Sequence, residues 1–419
     1  MKYLILFITL LLQGATIQLS DQTHYKPQKL QSYSLPTTTP LYATARVWDK
    51  DLSFAKKFAI VELGGIEDIQ RIDLFGFNKV VAYEWSAGFY KDENNYFIDW
   101  VKKHPQTLLN EKPNKEGVYF YDMCNEELAH KRISYLLEQK KRLHIAGYFF
   151  DWANEEFLYE KELAALKESF HSKHPYTSYA KCLEKFFKIL KDAGALVISN
   201  QAYRNEELLE AVHYDMCESY MTQVKKSTAM ANIEGAITFI PTTNFVPLDE
   251  VFAYFKKFAA LKAKYPFQEM IYMNYAAPIL EPHGDILKTK KPRDIIYYNY
   301  VLAKLGGFYS YTEVPFDHTL EYDHIYCVDL GNPQGAIQHK DGVYWRFFYN
   351  GFVIVAPHIT RALYLRIKTP GLIDIKDGQY LSEQDGWTTF VLEPIYYNFE
   401  NRYLPQAKVF LYADKVLHK

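Results

Sequence analysis

The stretch HIAGYFFDWAN, from His144 to Asn154, decides the fold. It is a continuous apolar run that ends in a carboxylate at Asp151 and continues as a polar loop. Strands of a parallel sheet are covered on both faces and are therefore apolar along their whole length. A charged side chain at the exit of such a strand is costly unless it is paired, and ligands bind just beyond the carboxyl ends of these strands. The stretch therefore predicts a buried parallel strand with a functional acid at its end.

Seven further apolar runs follow this pattern, and segments of helical period separate several of them. The eight runs span residues 58–64, 79–85, 118–123, 145–151, 195–201, 214–220, 269–275 and 307–314, and the helical patterns span 125–141, 176–193, 248–264 and 292–305. Strands that alternate with crossover helices are typical of α/β proteins, and eight such units predict a (β/α)8 TIM barrel. An open doubly wound sheet is the alternative. It requires a glycine-rich phosphate loop, for which Gly64-Gly65 alone is a weak signal.

The sequence changes character near residue 320. Short strand-like runs separated by Asn-Gly, Asp-Gly and Pro-Gly dipeptides replace the helices, which predicts a small antiparallel β-sandwich. The predicted organisation is a signal peptide at 1–20, an extended leader at 21–45, a catalytic barrel at 46–320 and an accessory sandwich at 321–419. Long insertions at 152–176 and 221–247 are expected to form walls or lids over a site.

The amino-terminal sequence MKYLILFITLLLQGATIQLS is typical of a secretory signal peptide. One lysine precedes an apolar run of about ten residues, and small residues follow it. We therefore expect export to the periplasm or the medium, with cleavage near Gly14 or Ala15 and no membrane span in the mature chain. An uncleaved amino-terminal anchor is the alternative, although the run is short for a bilayer.

The composition limits the classes of partner that we expect the chain to bind. The 48 basic and 50 acidic residues nearly balance and form no basic stripe, so nucleic acid is not an expected partner. Aromatic residues make up 17% of the chain, with 36 tyrosines, and aromatic rings stack on sugar rings as well as filling cores. The cysteines Cys124, Cys182, Cys217 and Cys327 show no metal-binding spacing, and we expect them to be free buried thiols.

Polar side chains stand at or near the ends of all eight runs, as a ring of acids and amides. They are Glu62, Glu84, Asp122, Asp151, Asn200 with Gln201, Glu218, Asn274 with Tyr275, and Glu313. Because alternate residues of a strand share a face, Asp151 and Glu218 are expected to point into the barrel mouth from strands four and six. Strands two positions apart place their Cα atoms roughly 9 to 10 Å apart. That spacing allows the carboxyl separation of either a retaining or an inverting glycosidase.

Four of these motifs carry a family resemblance. VVAYEWSAG, YFFDWAN, VISNQA and DMCESY occur in the order found in barrel glycoside hydrolases of the endo-α-polygalactosaminidase type, and RFFYNGFVIVAP resembles the β-sandwich that follows many hydrolase barrels. The resemblance implies that Asp151 and Glu218 are the catalytic pair. Two positions depart from the family pattern, since Ala146 and Asn154 stand where the family commonly has aspartate.

The sequence thus predicts an exported glycoside hydrolase that cleaves a polysaccharide by a two-carboxylate mechanism. Asp151 would be the nucleophile, or the base of an inverting enzyme, and Glu218 the proton donor. The predicted substrate contacts are Glu62, Glu84, Trp85, Asp122, Trp152, Asn200, Gln201, Tyr220, Asn274, Tyr275 and Glu313. For the acids, the alternative is a structural role in capping loops or in pairing with a basic residue.

No cofactor and no metal are predicted. His171-Ser-Lys-His174 has no accompanying acid motif, and the chain contains no G-x-S-x-G sequence of a serine hydrolase. The alternative function is a barrel that binds carbohydrate or a partner without turning it over.

Overall fold

A computed structural model describes residues 17–19, 34–46, 48, 51–315, 321–369 and 371–416. The predicted signal peptide lies outside these residues except for 17–19, as does the greater part of the predicted leader. In the described part of the chain, no helix combines the length and the apolar character needed to cross a membrane.

Eight strands form one sheet, and their order across the sheet follows their order in the chain. They are β1 (Tyr42–Thr44), β2 (Ile60–Glu62), β3 (Val80–Trp85), β4 (Gly147–Asp151), β5 (Leu196–Asn200), β6 (Tyr214–Glu218), β7 (Glu269–Tyr275) and β8 (Tyr309–Glu313). The pairings from β1 through β7 are parallel. This sheet, with helices between its strands, confirms the predicted (β/α)8 barrel.

One predicted barrel strand was wrong, and one was missed. The run at 118–123 contributes the strand Val118–Phe120, which pairs antiparallel with Gly88–Tyr90 in a separate two-stranded ribbon. The first barrel strand is instead β1, a three-residue strand too short to give a periodic signal. Because one strand is gained before β4 and one is lost, Asp151 and Glu218 still end the fourth and sixth strands of the barrel.

Seven α-helices lie in the described part of the chain. They are α1 (Ile66–Ile69), α2 (Tyr96–Lys103), α3 (Glu126–Leu143), α4 (Ala164–Lys173), α5 (Tyr179–Asp192), α6 (Leu248–Lys264) and α7 (Arg293–Gly306). The Asn125 side chain accepts a hydrogen bond from the Leu128 N–H and caps α3, as its sequence predicts. Helix α5 presents Phe187 to Phe150 of β4, with ring centroids 4.9 Å apart, so this helix covers the strand that ends in Asp151.

The chain divides into two compact units. The barrel unit contains Leu41–Tyr220 and Pro247–Met273, and the second unit contains Met1–Pro40, Met221–Val246 and Asn274–Lys419. In the second unit, the insertion after β6 forms two long strands, Thr222–Ile233 and Ala236–Phe245, which join Ile279–His283 and Ile286–Lys290 in a four-stranded sheet.

The predicted carboxy-terminal sandwich is confirmed, and it also lies in the second unit. One sheet has the order Pro333–Lys340, Val343–Phe348, Gly351–Ala356, Gln406–Tyr412, Gly371–Asp374, Gln379–Ser382, and the other Ile17–Gln18, Leu363–Ile367, Thr388–Leu392. Side chains of both sheets share one hydrophobic core, with Phe352 and Phe410 from the first and Leu365 and Phe390 from the second. Ile17 and Leu19 are buried in the same core.

Cys124 and Cys182 form a disulfide, so the expectation of free thiols was wrong for this pair. Cys124 precedes α3 and Cys182 lies in α5, and their Cα atoms are 5.1 Å apart because these helices pack together. Their separation of 58 residues gave no hint of that proximity. Cys217 and Cys327 are free, and Cys217 is buried as expected.

Candidate active site

Three successive strands end in the same way. The last residues of β4, β5 and β6 are polar, and each is followed by a residue whose backbone is left-handed although it is not glycine. The pairs are Asp151 with Trp152 (φ 52°), Asn200 with Gln201 (φ 64°), and Glu218 with Ser219 (φ 63°). Such backbone costs on the order of 1 to 3 kcal/mol per residue and clusters at functional sites. The strain therefore marks the edge of the sheet where the sequence places the catalytic pair.

Asn200 joins the two predicted catalytic acids. Its side-chain nitrogen Nδ2 donates to Asp151 Oδ1 at 2.9 Å and to Glu218 Oε2 at 2.7 Å. Because both bonds share one nitrogen, an ordinary amide geometry places the two carboxylate oxygens roughly 5 Å apart. The structure thus brings Asp151, Asn200 and Glu218 into one cluster.

Asp151 accepts two further hydrogen bonds. The Tyr83 hydroxyl donates to Oδ2 at 2.8 Å, and the Trp152 backbone N–H donates to Oδ1 at 2.9 Å. Burial raises the pKa of Tyr83, and the charge of Asp151 raises it further, so the hydroxyl keeps its proton and remains a donor. These donors fix the orientation of the Asp151 side chain.

Ser86 holds the turn after Asp151 in place by hydrogen bonds. The fully buried Ser86 hydroxyl lies 2.6 Å from the carbonyl oxygens of both Asp151 and Trp152, and its backbone N–H donates to the Asp151 carbonyl. Ser86 is itself held by the buried guanidinium of Arg132, which donates to the carbonyls of Ser86 and Trp85. Sequence reasoning missed both residues, because a serine and a helical arginine carry no local motif.

The loop after β5 is held by a buried acid, Asp215 of β6. Its carboxylate accepts hydrogen bonds from the Ser199 hydroxyl and from the backbone N–H groups of Ala202 and Tyr203, at 2.7 to 3.0 Å. Burial raises the pKa of Asp215 to about 7, although these hydrogen bonds act in the opposite direction. The loop that carries Gln201 is therefore anchored to the strand that carries Glu218.

Two predicted contact residues are buried acids with basic partners. Glu62 accepts from Arg46 at 3.0 Å and from the Gly64 N–H, and Glu84 lies 3.4 Å from the Arg132 guanidinium. Burial raises the pKa of both acids against the effect of these arginines. Both acids therefore pair with a basic residue. This is the structural role that the sequence left open as the alternative to substrate binding.

Asp122 follows the ribbon strand Val118–Phe120 rather than a barrel strand. Its carboxylate oxygens both lie 2.9 Å from His174 Nε2, and it accepts from the Cys124 N–H. The ligand atoms of Asp122, Cys124 and His174 lie within 4.8 Å of one another, as the ligands of a metal ion would. The Cys124 sulfur is bonded to Cys182, however, so it cannot act as the thiolate that such a site requires.

Three chambers line the barrel unit beside these acids. The first has a volume of about 870 Å³ and is bordered by six carboxylates and by an aromatic group. The carboxylates are Glu67, Asp68, Glu84, Asp92, Glu93 and Asp151, and the aromatic group includes Tyr83, Trp85, Tyr90 and Trp152. No lysine, arginine or histidine is among the described residues that border this chamber. The predicted contacts Trp85 and Trp152 meet there edge to face, with ring centroids 5.8 Å apart.

The second chamber adjoins the first, and the third adjoins the second. The second, of about 340 Å³, shares Asp151 and Trp152 with the first and is also bordered by Asn200, Gln201 and Glu218. The third, of about 450 Å³, shares Glu156, Glu160 and Arg204 with the second. Part of the predicted insertion at 152–176 therefore borders the second and third chambers. We call the three neighbouring chambers together the groove, and Asp151 borders the first two of them.

None of the remaining predicted contacts is among the described residues that border the three chambers. Tyr220 is half-buried, and its hydroxyl meets that of Tyr203 rather than bordering one of the three chambers. Asn274, Tyr275 and Glu313 all belong to the second unit. Within that unit the buried Asn274 accepts a hydrogen bond from the Met221 N–H, and the Glu313 carbonyl accepts one from Ala276.

Tyr83 was the most important omission from the sequence prediction. It lies two residues before Trp85 on β3, and Trp85 is the register partner of Asp151. Because alternate residues share a face, the pattern Tyr-Glu-Trp already places Tyr83 on the same face as Trp85. The sequence therefore contained a signal for Tyr83. No pattern in the sequence indicated that Arg204 would border the third chamber.

No protein-family model and no curated protein match this chain. Among solved structures, it is similar to the glycoside hydrolase domain of PelA from Pseudomonas aeruginosa, with 15% identity over 68% of this chain and 98% of that one and a TM-score of 0.44. It is also similar to an Anoxybacillus alpha-amylase (10% identity, 86% and 88% of the two chains, TM-score 0.44). A third is the galactosidase domain of the alpha-galactosidase-sucrose kinase AgaSK (10% identity, 89% and 54%, TM-score 0.46). At these identities, the function has to be argued from the site itself.

Proposed function

We propose that this chain is a glycoside hydrolase that cleaves a polysaccharide with retention of configuration. Asp151 is the nucleophile and Glu218 the acid and base. The observation that carries the proposal is the single Asn200 amide that donates to both carboxylates, because it sets their separation near 5 Å. Retaining glycosidases place their two carboxyl groups about 5 to 5.5 Å apart, whereas inverting enzymes leave about 6.5 to 9.5 Å for a water molecule.

The reaction has two steps. In the first, Asp151 attacks the anomeric carbon while Glu218 gives its proton to the departing glycosidic oxygen, which leaves a sugar covalently bound to Asp151. In the second, Glu218 takes a proton from water, the water oxygen attacks the same carbon, and Asp151 leaves as a carboxylate. Tyr83, Asn200 and the Trp152 N–H donate to Asp151 and hold it in line for attack.

The acidic and aromatic lining of the first chamber favours a positively charged substrate. Like charges crowd there, and burial together with neighbouring Asp92 and Glu67 raises the pKa of Glu93. Carboxylates and exposed faces of Trp and Tyr together attract ammonium groups. This agrees with the sequence resemblance to the endo-α-polygalactosaminidase type, whose substrate is a polymer of amino sugars. The groove continues on both sides of Asp151, which suits cleavage inside a chain rather than at its end.

Export is part of the proposal. The residues Met1 to Ser20 have the composition of a secretory signal. An exported chain also meets the oxidising conditions in which a disulfide such as Cys124–Cys182 persists.

The test is a glycan panel with matched variants. Wild type, Asp151→Asn, Glu218→Gln and the surface control Tyr176→Ala are compared on an α-1,4-linked galactosamine polymer, its N-acetylated form and uncharged starch. We expect wild type and the control to release reducing ends from the galactosamine polymer first, and both acid variants to lose at least about a thousandfold in rate. Azide should restore turnover to Asp151→Ala and yield a glycosyl azide. Equal rates in wild type and both acid variants, or binding without turnover, would contradict hydrolysis and leave a carbohydrate-binding barrel.

A further inference from the structure

The groove gives the bound chain a direction if the proposed function holds. Asp151 borders both the first and the second chamber, whereas Glu218 borders the second. In a retaining glycosidase, the nucleophile bonds to the sugar that stays, and the acid protonates the oxygen of the part that leaves. The side of the groove that carries the acid is therefore the side of the leaving chain.

We infer that the substrate lies with its non-reducing part in the first chamber and its reducing-end part across the second and third, where Tyr159 and Arg204 bind the leaving chain. This inference rests on the proposed function and adds subsites to it. The non-reducing part then meets the acidic, aromatic first chamber, and the leaving part meets the smaller second chamber and then the third.

The third chamber has the side chains that a leaving sugar requires. Tyr159 is 57% exposed there, and the Lys167 ammonium lies 4.3 Å from its ring centroid, which holds the ring in place from one side. Exposed tyrosine rings of this kind offer an apolar face to a sugar ring together with a hydroxyl for hydrogen bonding.

Arg204 borders both the second and the third chamber. Its guanidinium pairs with Glu156, which borders the same two chambers. Arg204 ends the short turn Ala202–Arg204, and Asp215 anchors the N–H groups of the two residues before it. The pair thus presents donors and acceptors for sugar hydroxyls from an anchored turn of the backbone.

Two substrates distinguish sugar binding on the leaving-group side of the cleaved bond from sugar binding on the nucleophile side. One is an α-1,4-linked galactosamine hexasaccharide with a fluorophore at its reducing end. The other is the corresponding disaccharide with nitrophenol as leaving group, which has no sugar to place in the third chamber. Wild type, Tyr159→Ala, Arg204→Ala, Tyr90→Ala and the exposed control Tyr176→Ala are compared, after thermal melts show that all are folded.

We expect Tyr159→Ala and Arg204→Ala to lower kcat/KM on the hexasaccharide about tenfold. Tyr159→Ala, whose side chain borders the third chamber but not the second, should leave the rate on the nitrophenyl disaccharide within about threefold. Both variants should also shift the labelled products towards shorter pieces, which a loss of stability alone would not do. Tyr90→Ala, in the first chamber, should lower the rate on both substrates.

The opposite pattern would overturn the inference. If Tyr90→Ala spares the nitrophenyl disaccharide while Tyr159→Ala lowers both rates, the chain lies in the other direction. If neither Tyr159→Ala nor Arg204→Ala differs from Tyr176→Ala, the third chamber does not bind the substrate. Failure of wild type on every glycan is a distinct result, since it rejects the proposed function itself.

Discussion

The buried acid Asp215 should make the stability of the protein depend on pH. Burial raises its pKa from 3.8 to about 7 in the folded chain. The folded state therefore binds a proton that the unfolded chain has released between these two values. By linkage, the free energy of unfolding is higher at low pH and is lost as the pH rises towards and through 7. Two pH units, from 7 down to 5, correspond to about 2.7 kcal/mol at about 1.36 kcal/mol per unit.

The assay is urea unfolding of wild type and Asp215→Asn at pH 5, 6, 7 and 8. The asparagine offers one acceptor oxygen in place of two, so we expect the variant to be less stable than wild type by about 1 to 2 kcal/mol at pH 5, and this difference should shrink and then reverse as the pH rises to 8. The slope is the informative quantity, since the variant should lack about 2.7 kcal/mol of the decline between pH 5 and pH 8. Glu62 and Glu84 also have raised pKa values but titrate in both proteins, so the comparison cancels them. Parallel curves would refute the reasoning, because they would mean that Asp215 is already ionised in the folded state.

Four further predictions each concern one residue or one pair of residues. Asn200→Ala removes two charge-assisted hydrogen bonds, and we expect kcat/KM to fall about 30- to 1000-fold, for a loss of about 2 to 4 kcal/mol; a rate near wild type would contradict this. Gln201→Gly relieves a left-handed backbone, and urea unfolding should show a gain of about 0.5 to 1 kcal/mol rather than a loss. Replacing Cys124 and Cys182 with alanine opens a loop of 58 residues, and the free energy of unfolding should fall by about 4 kcal/mol; unchanged stability would exclude the disulfide. Signal-peptide cleavage should fall near Gly14 or Ala15 rather than at residue 20, because the buried side chains of Ile17 and Leu19 belong to the sandwich core; an intact mass that places the cleavage beyond Leu19 would contradict this.

The sequence alone predicted the barrel because its strands are apolar along their length. Covered strands such as β4 and β6 give long unbroken runs, and the acid that ends each run is visible without coordinates. The sandwich was predictable for a similar reason, since its turns need the glycine dipeptides that the sequence displays. Where a strand is very short, as in β1, or stands outside the sheet, as in Val118–Phe120, the same pattern misled the strand count.

Only the tertiary structure decided how the site is assembled. The Asn200 bridge between Asp151 and Glu218, the support of Ser86 by Arg132, and the Cys124–Cys182 disulfide each join residues that are distant in the chain. Hydropathy and spacing report which face of an element is buried, because burial acts on each residue separately. A contact between two elements depends on the register of the sheet and the packing of its helices, which no local pattern contains. The sequence therefore determined which acids stand at the strand ends, and the fold decided which of them meet.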